Sequence, residues 1–106
     1  MGQERDVIIS RIRRFLREEN IKLAILFGSY ARGTETEWSD VDVMIIDDRF
    51  DGLDAIERAR ISWGLVKDDF FWSADIICMT PEEFESDVEL QLAAKDAVEE
   101  GIMITP

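Results

Sequence analysis

Three features of this sequence have the residue types and spacing to act on a phosphate. Gly28-Ser29 follows directly on an apolar run that ends at Phe27, and Asp40-Val41-Asp42 comes ten residues later, at the mouth of a second apolar run. Asp75 stands in Trp72-Ser73-Ala74-Asp75-Ile76-Ile77, an acid inside an otherwise apolar stretch. Glycine after a strand permits an unusual backbone angle or the close approach of a ligand. Backbone N–H groups at the start of a helical turn attract anions, and the Ser29 hydroxyl adds a donor for a phosphate oxygen. Gly33 offers a second permissive turn beside it. Alone, such a Gly-Ser pair is a weak signal, more often only a strand-ending turn.

The two aspartates sharpen the reading. Residues two apart at a strand start point to the same face, so Asp40 and Asp42 share one side while Val41 and Val43 take the other. Paired carboxylates without a cation repel, and a divalent ion relieves that repulsion; hard oxygen donors suit Mg²⁺. The alternative is two solvent-facing acids at a loop–strand junction. An unpartnered aspartate buried in a sheet is costly, so Asp75 either joins the same cluster from a neighbouring strand or lies on the open face of an edge strand.

These residues need elements to carry them. Ile8, Ile12, Phe15 and Leu16 recur at helical spacing between Asp6 and Glu19, and Asn20 suits a left-handed cap. Arg11, Arg13, Arg14 and Arg17 fall largely on the other faces, either as a solvated helix face or as a nucleic-acid patch. Lys22 to Phe27, Val41 to Ile46 and Phe71 to Met79 read as strands. Leu53, Ile56, Ala59, Trp63 and Val66 predict a helix over Asp51 to Lys67. Thr80-Pro81-Glu82-Glu83 has the form of a cap with proline at the first helical position, and Ser86-Asp87-Val88-Glu89 repeats the capping-box spacing. The second of these opens a helix to about Glu99, closed by Gly101, with a short edge strand over Ile102 to Thr105. The order predicts an α/β (α+β) fold, a small mixed sheet with helices packed on it, in a single domain over residues 1–106.

Composition narrows the function classes. The 106 residues include 46% apolar and 34% charged residues, a globular balance. Apolar runs are too short to span a bilayer. The start, MGQERDVII, has no signal-peptide form, and a cytoplasmic location is expected. One cysteine and no histidine leave no disulfide framework and no ligands for a Cys/His zinc site. Residues 1–35 carry seven Lys/Arg against five Asp/Glu, whereas residues 36–106 carry five against nineteen, a net of −14. Such a surface repels a nucleic-acid backbone, so a DNA or RNA substrate is not expected. A basic protein partner, or a small anion arriving with magnesium, is compatible with it.

With these residues together, the chain resembles the minimal nucleotidyltransferases of the DNA polymerase beta superfamily, in particular the antitoxins paired with HEPN-domain toxins. The family pattern is Gly-Ser, ten residues, Asp-x-Asp, matched by Gly28-Ser29, Tyr30 to Ser39 and Asp40-Val41-Asp42. Ala31-Arg32-Gly33, Ser39, Asp75, Met79-Thr80-Pro81-Glu82-Glu83-Phe84 and Glu100-Gly101-Ile102 also agree, so the resemblance covers essentially the whole chain. It implies that Gly28 and Ser29 hold the β/γ phosphates and that Asp40, Asp42 and Asp75 bind two Mg²⁺ ions. Arg32 and Gly33 complete the nucleotide loop, with Arg32 touching phosphate or forming a surface ion pair. The implied activity is transfer of AMP from ATP to a hydroxyl, a tyrosine, of a HEPN ribonuclease toxin, which silences it. Two departures stand out: Trp38 near the metal site, stacking on a base or partner or packing over the loop, and Phe70-Phe71-Trp72 before the third acid, a protein-contact patch or aromatic strand packing. The rival reading is a non-catalytic antitoxin that inhibits its toxin by covering it.

Overall fold

A computed structural model of the chain describes residues 5–36, 40–66, 74–86 and 99–106. The first helix, α1, runs Arg5–Glu19 and buries Ile8, Ile12, Phe15 and Leu16, the four positions expected from their spacing. Asn20 ends it in the left-handed region at φ 56°, where its short polar side chain is tolerated. Strand β1, Leu23–Phe27, follows; then a single helical turn, α2, Ser29–Arg32; then β2, Val41–Ile46.

A 3₁₀ turn at Asp48–Phe50 separates β2 from α3, Ala55–Val66. The helix was expected from Asp51, but Asp54 sets its start. The Asp54 carboxylate accepts from Glu57 N at 2.8 Å, and Glu57 reaches back to Asp54 N at 3.4 Å, a capping box that fixes the first turn. Strand β3, Ala74–Met79, and helix α4, Pro81–Ser86, come next, with β4, Ile102–Ile104, last. Thr80 and Glu83 cap α4 reciprocally as predicted, with Glu83 N to Thr80 Oγ1 at 3.1 Å and Thr80 N to Glu83 Oε1 at 2.8 Å. The strand expected from Phe71 is described only from Ala74. Trp38, Phe70-Phe71-Trp72 and the capping box at Ser86-Asp87-Val88-Glu89 fall wholly or partly outside the described residues, as does most of the helix it was expected to open.

The four strands form one mixed sheet in the order β3-β2-β1-β4. β1 is antiparallel to β2 and to β4, while β2 and β3 are parallel, with α3 lying between them in the chain. Strand alternation then divides the apolar residues between two faces. Val41, Val43 and Ile45 join α1 and Leu65 of α3 in the larger core, whereas Met44 and Ile46 join Ile25, Phe27 and Met79 in a smaller cluster on the opposite face.

α3 differs from its expected orientation. Of the apolar stripe read from its sequence, Leu53 and Val66 are half-buried against the main core, but Ile56 is 67% and Trp63 62% exposed, and Ala59 is exposed too; Leu65 is the fully buried residue. The inner side instead holds Arg58, which donates to the carbonyls of Phe50 at 2.8 Å, Leu53 at 3.0 Å and Cys78 at 3.2 Å, and to Glu83 at 2.7 Å. One guanidinium thereby joins α3, β3 and α4.

Candidate active site

The site grows from the junction of β1 with α2. Gly28 has φ 72° and ψ −153°, a region that essentially only glycine occupies. Its carbonyl accepts from Ala31 N and Arg32 N, both at 3.1 Å, closing the turn of α2. Gly33 ends that turn at φ 77° in the left-handed region, where glycine carries no steric penalty. Tyr30 is 1% exposed and anchors the turn in the main core, leaving Ser29 half-buried beside Gly28.

β2 brings the first acids to this turn. Asp42 pairs with Phe27 in the antiparallel register of β1 and β2, one residue from Gly28. A Cβ placed on Gly28 would collide with the Asp42 carboxylate through Oδ2, and would stand 3.1 Å from its Cγ. The missing side chain at 28 is therefore what admits the carboxylate at 42. Asp42 is half-buried, and Asp40, just before the strand, is exposed.

β3 supplies the third acid. In the parallel register, Asp42 is the direct partner of Asp75, as Val43 is of Ile76 and Met44 of Ile77. Directly paired residues point to the same face, so the carboxylates at 42 and 75 flank one position on adjacent strands. Asp75 is exposed and β3 is an edge among the described strands, so both readings of this residue describe part of its situation. Among the described residues, no three acidic or cysteine side chains form a ready metal cage. The donors suit Mg²⁺ nonetheless. They are oxygen only, two of them are paired by register, and Mg²⁺ takes one or two carboxylates together with substrate phosphates rather than an all-protein cage.

Arg32 turns toward the chain terminus, its guanidinium 3.4 Å from the carboxylate of Glu100, as in the ion-pair alternative. Arg5 is a support that no sequence pattern signals. From the first turn of α1 it donates to the carbonyls of Tyr30 at 3.4 Å and Ala31 at 3.3 Å, contacts across at least 25 residues. Three of the four arginines weighed as a nucleic-acid patch are engaged within the chain: Arg11 donates to Gly64 O at 3.0 Å, Arg13 to Thr105 O at 3.2 Å, and Arg14 pairs with Glu18 at 2.8 Å. On the α3 side of the sheet, opposite the carboxylates, a groove of about 460 Å³ runs between α3 and β3, with Arg58, Ser62, Ile76 and Cys78 among its walls. Burial pushes the Cys78 thiol up from its ordinary value, which keeps it protonated and unreactive at neutral pH. No helix among the described residues is long and apolar enough to cross a membrane.

Comparison with known proteins agrees with this arrangement. Residues 9–104 match a family described as the nucleotidyltransferase domain. A protein of Methanocaldococcus jannaschii, inferred to be a protein adenylyltransferase, is 48% identical over 48 residues; the match spans 43% of this chain and 48% of that protein, about half its length. Among solved structures, a toxin–antitoxin with AMP-PNP superposes with a TM-score of 0.65 at 25% identity, over 90% of this chain and 70% of that chain. A tyrosine-to-alanine variant of the MntA–HpeT toxin–antitoxin superposes at 0.58 with 28% identity, over 90% of this chain and 69% of that chain.

Proposed function

Because this chain belongs to the nucleotidyltransferase-domain family, we propose that it is a Mg²⁺-dependent protein adenylyltransferase acting as a cytoplasmic antitoxin. It moves AMP from ATP to a hydroxyl, a tyrosine, on a HEPN-domain ribonuclease toxin. The observation that carries the reading is the register of Asp42 with Asp75, with the Asp42 carboxylate set against Gly28. A phosphate-binding turn and two acids thus share one end of one sheet. The M. jannaschii relative supports a protein acceptor, and the AMP-PNP of the toxin–antitoxin structure supports an adenine nucleotide.

In this reading Gly28 and Ser29 bind the β and γ phosphates, Gly33 closes the turn that presents them, and Arg32 steadies the loop through Glu100. Asp40, Asp42 and Asp75 hold Mg²⁺, two ions in all. When bound, the metal supplies neutralisation of the triphosphate charge and activation of the incoming oxygen. Asp42, packed against Gly28, would set the metal beside the turn that binds the triphosphate. Asp75, exposed at the sheet edge, receives the proton of the acceptor hydroxyl. The hydroxyl oxygen bonds to the α-phosphorus, the bond to the β-phosphate breaks in line, and pyrophosphate leaves.

The test incubates this protein and its gene neighbour's product with Mg²⁺ and each of the four triphosphates, then weighs the intact neighbour. The expected result is a gain of one or more AMP units from ATP, abolished by Asp42→Asn. A folded wild-type protein that binds the neighbour and yields no adduct with any triphosphate refutes the catalytic reading. The acid-rich surface of residues 36–106 favours one rival, inhibition by covering a basic ribonuclease. Full neutralisation by an Asp40→Asn, Asp42→Asn double variant without nucleotide transfer is the result that rival requires.

A further inference from the structure

We propose that the outward face of α3, continued by the groove between α3 and β3, is the surface on which the protein acceptor docks; this rests on the adenylyltransferase reading. Ile56, Ala59 and Trp63 recur at a spacing that normally marks a core face, yet all three are exposed. With Arg60 they line a shallow depression of about 290 Å³. A large indole and an isoleucine held together in water on one helix face are the kind of patch that marks a protein contact, and tryptophan is prominent among the residues that dominate binding energy.

The patch leads toward the chemistry. Ala59 lines both this depression and the 460 Å³ groove beside β3, so the two are one continuous surface. The far wall of the groove is Ile76, Ile77 and Cys78, and Asp75 is the residue immediately before that wall. At roughly 3.3 Å per strand residue, the groove begins within about 10 Å of the carboxylate proposed to receive the hydroxyl proton. Asp75 shares its sheet face with Asp42 and Ile77, opposite α3, so an acceptor anchored on Trp63 reaches it by passing around the exposed edge of β3.

Charge identifies the occupant. The full chain carries −12, and residues 36–106, which include the whole surface, carry −14. A second copy would bring the same charge and be repelled, whereas a basic protein is attracted and steered. The occupant is a basic acceptor protein, not a second copy of this chain.

The experiment measures the affinity of this protein for its gene neighbour's product, and separately the KM for that product in AMP transfer. The variants are Trp63→Ala, Ala59→Arg and, as a control at another exposed apolar side chain, Met103→Ala. Trp63→Ala and Ala59→Arg are each expected to weaken binding and raise this KM roughly tenfold or more. Mg²⁺-ATP affinity should stay at the wild-type value, and Met103→Ala should behave as wild type. Unchanged partner affinity in both docking variants overturns the proposal. So does a failure of the two wild-type proteins to associate, or a self-association of this chain that Trp63→Ala dissolves. Because binding is read apart from transfer, weakened binding without any transfer would leave the docking surface standing and remove only the catalytic reading.

Discussion

At the scale of single residues, the site depends on an absence: Gly28 has no side chain where the Asp42 carboxylate lies. Gly28→Ala meets two penalties, a backbone region closed to alanine and a collision with Asp42 Oδ2. The strain alone costs about 1–3 kcal/mol. The expected outcome is a lower melting temperature together with loss of Mg²⁺-ATP binding by calorimetry, since the turn and the carboxylate are displaced together. Gly33→Ala incurs only the backbone penalty, because open space surrounds its Cβ position. It should lose roughly 1 kcal/mol in denaturant unfolding and retain nucleotide binding. Equal effects of the two substitutions on ATP affinity would contradict the packing of Asp42 on Gly28.

At the scale of elements, the Arg58–Glu83 clamp ties β3, and so Asp75, to the body of the sheet. The hydrogen bond from Arg58, followed by that from the Thr80 backbone, holds the Glu83 carboxyl below its usual 4.5. A carboxyl lowered by folding contributes stability above its unfolded value, and the contribution disappears as pH falls through the folded value. Glu83→Gln should therefore be less stable than wild type at pH 7, and the gap should close on acidification below about 4, as read from melting temperatures across pH 3–7. The Glu83 side chain is 38% exposed, so solvent screening limits the gap to about 1 kcal/mol at most. A gap that widens toward low pH would assign the wrong sign to the interaction. At the start of α3, Asp54→Ala removes the acceptor for Glu57 N and should cost about 1 kcal/mol.

At the scale of the whole molecule, net charge selects what can approach. With −12 on 106 residues, this protein should show no measurable affinity for a single-stranded RNA oligomer at physiological salt, read by fluorescence anisotropy. A nucleoside triphosphate carried with Mg²⁺ is a small anion with most of its charge neutralised and meets far less repulsion. At a concentration 100-fold above its dissociation constant, Mg²⁺-ATP should stabilise the fold by about 2.7 kcal/mol. For a chain of this size that is a rise of roughly ten degrees or more in melting temperature. Asp42→Asn should abolish the rise, and comparing the four triphosphates in the same assay reads the base preference. An equal rise in the Asp42→Asn variant would remove this residue from the nucleotide site.

The sequence alone determined the features that depend on local periodicity and short-range chemistry. The inner face of α1, the bounds of β2, the left-handed Asn20 and the reciprocal cap of Thr80 and Glu83 all rest on contacts within a few residues, and all were legible. So was Gly28 as a special backbone position, whereas a shared face for Asp42 and Asp75 followed only if their strands were neighbours. Which strand lies beside which is set by pairing across tens of residues, and only the sheet order put Asp75 in direct register with Asp42. Tertiary packing also overruled the apolar pattern of α3. Spacing establishes that Ile56, Ala59 and Trp63 share one side of a helix, but not which side the sheet covers. Arg58 settled that by finding three carbonyls and a carboxylate on the inner side, a set of partners drawn from the turn before α3, the end of β3 and α4. A guanidinium so satisfied is stable at the core boundary, and Ile56, Ala59 and Trp63 were left facing water while Leu53 and Val66 pack against the core.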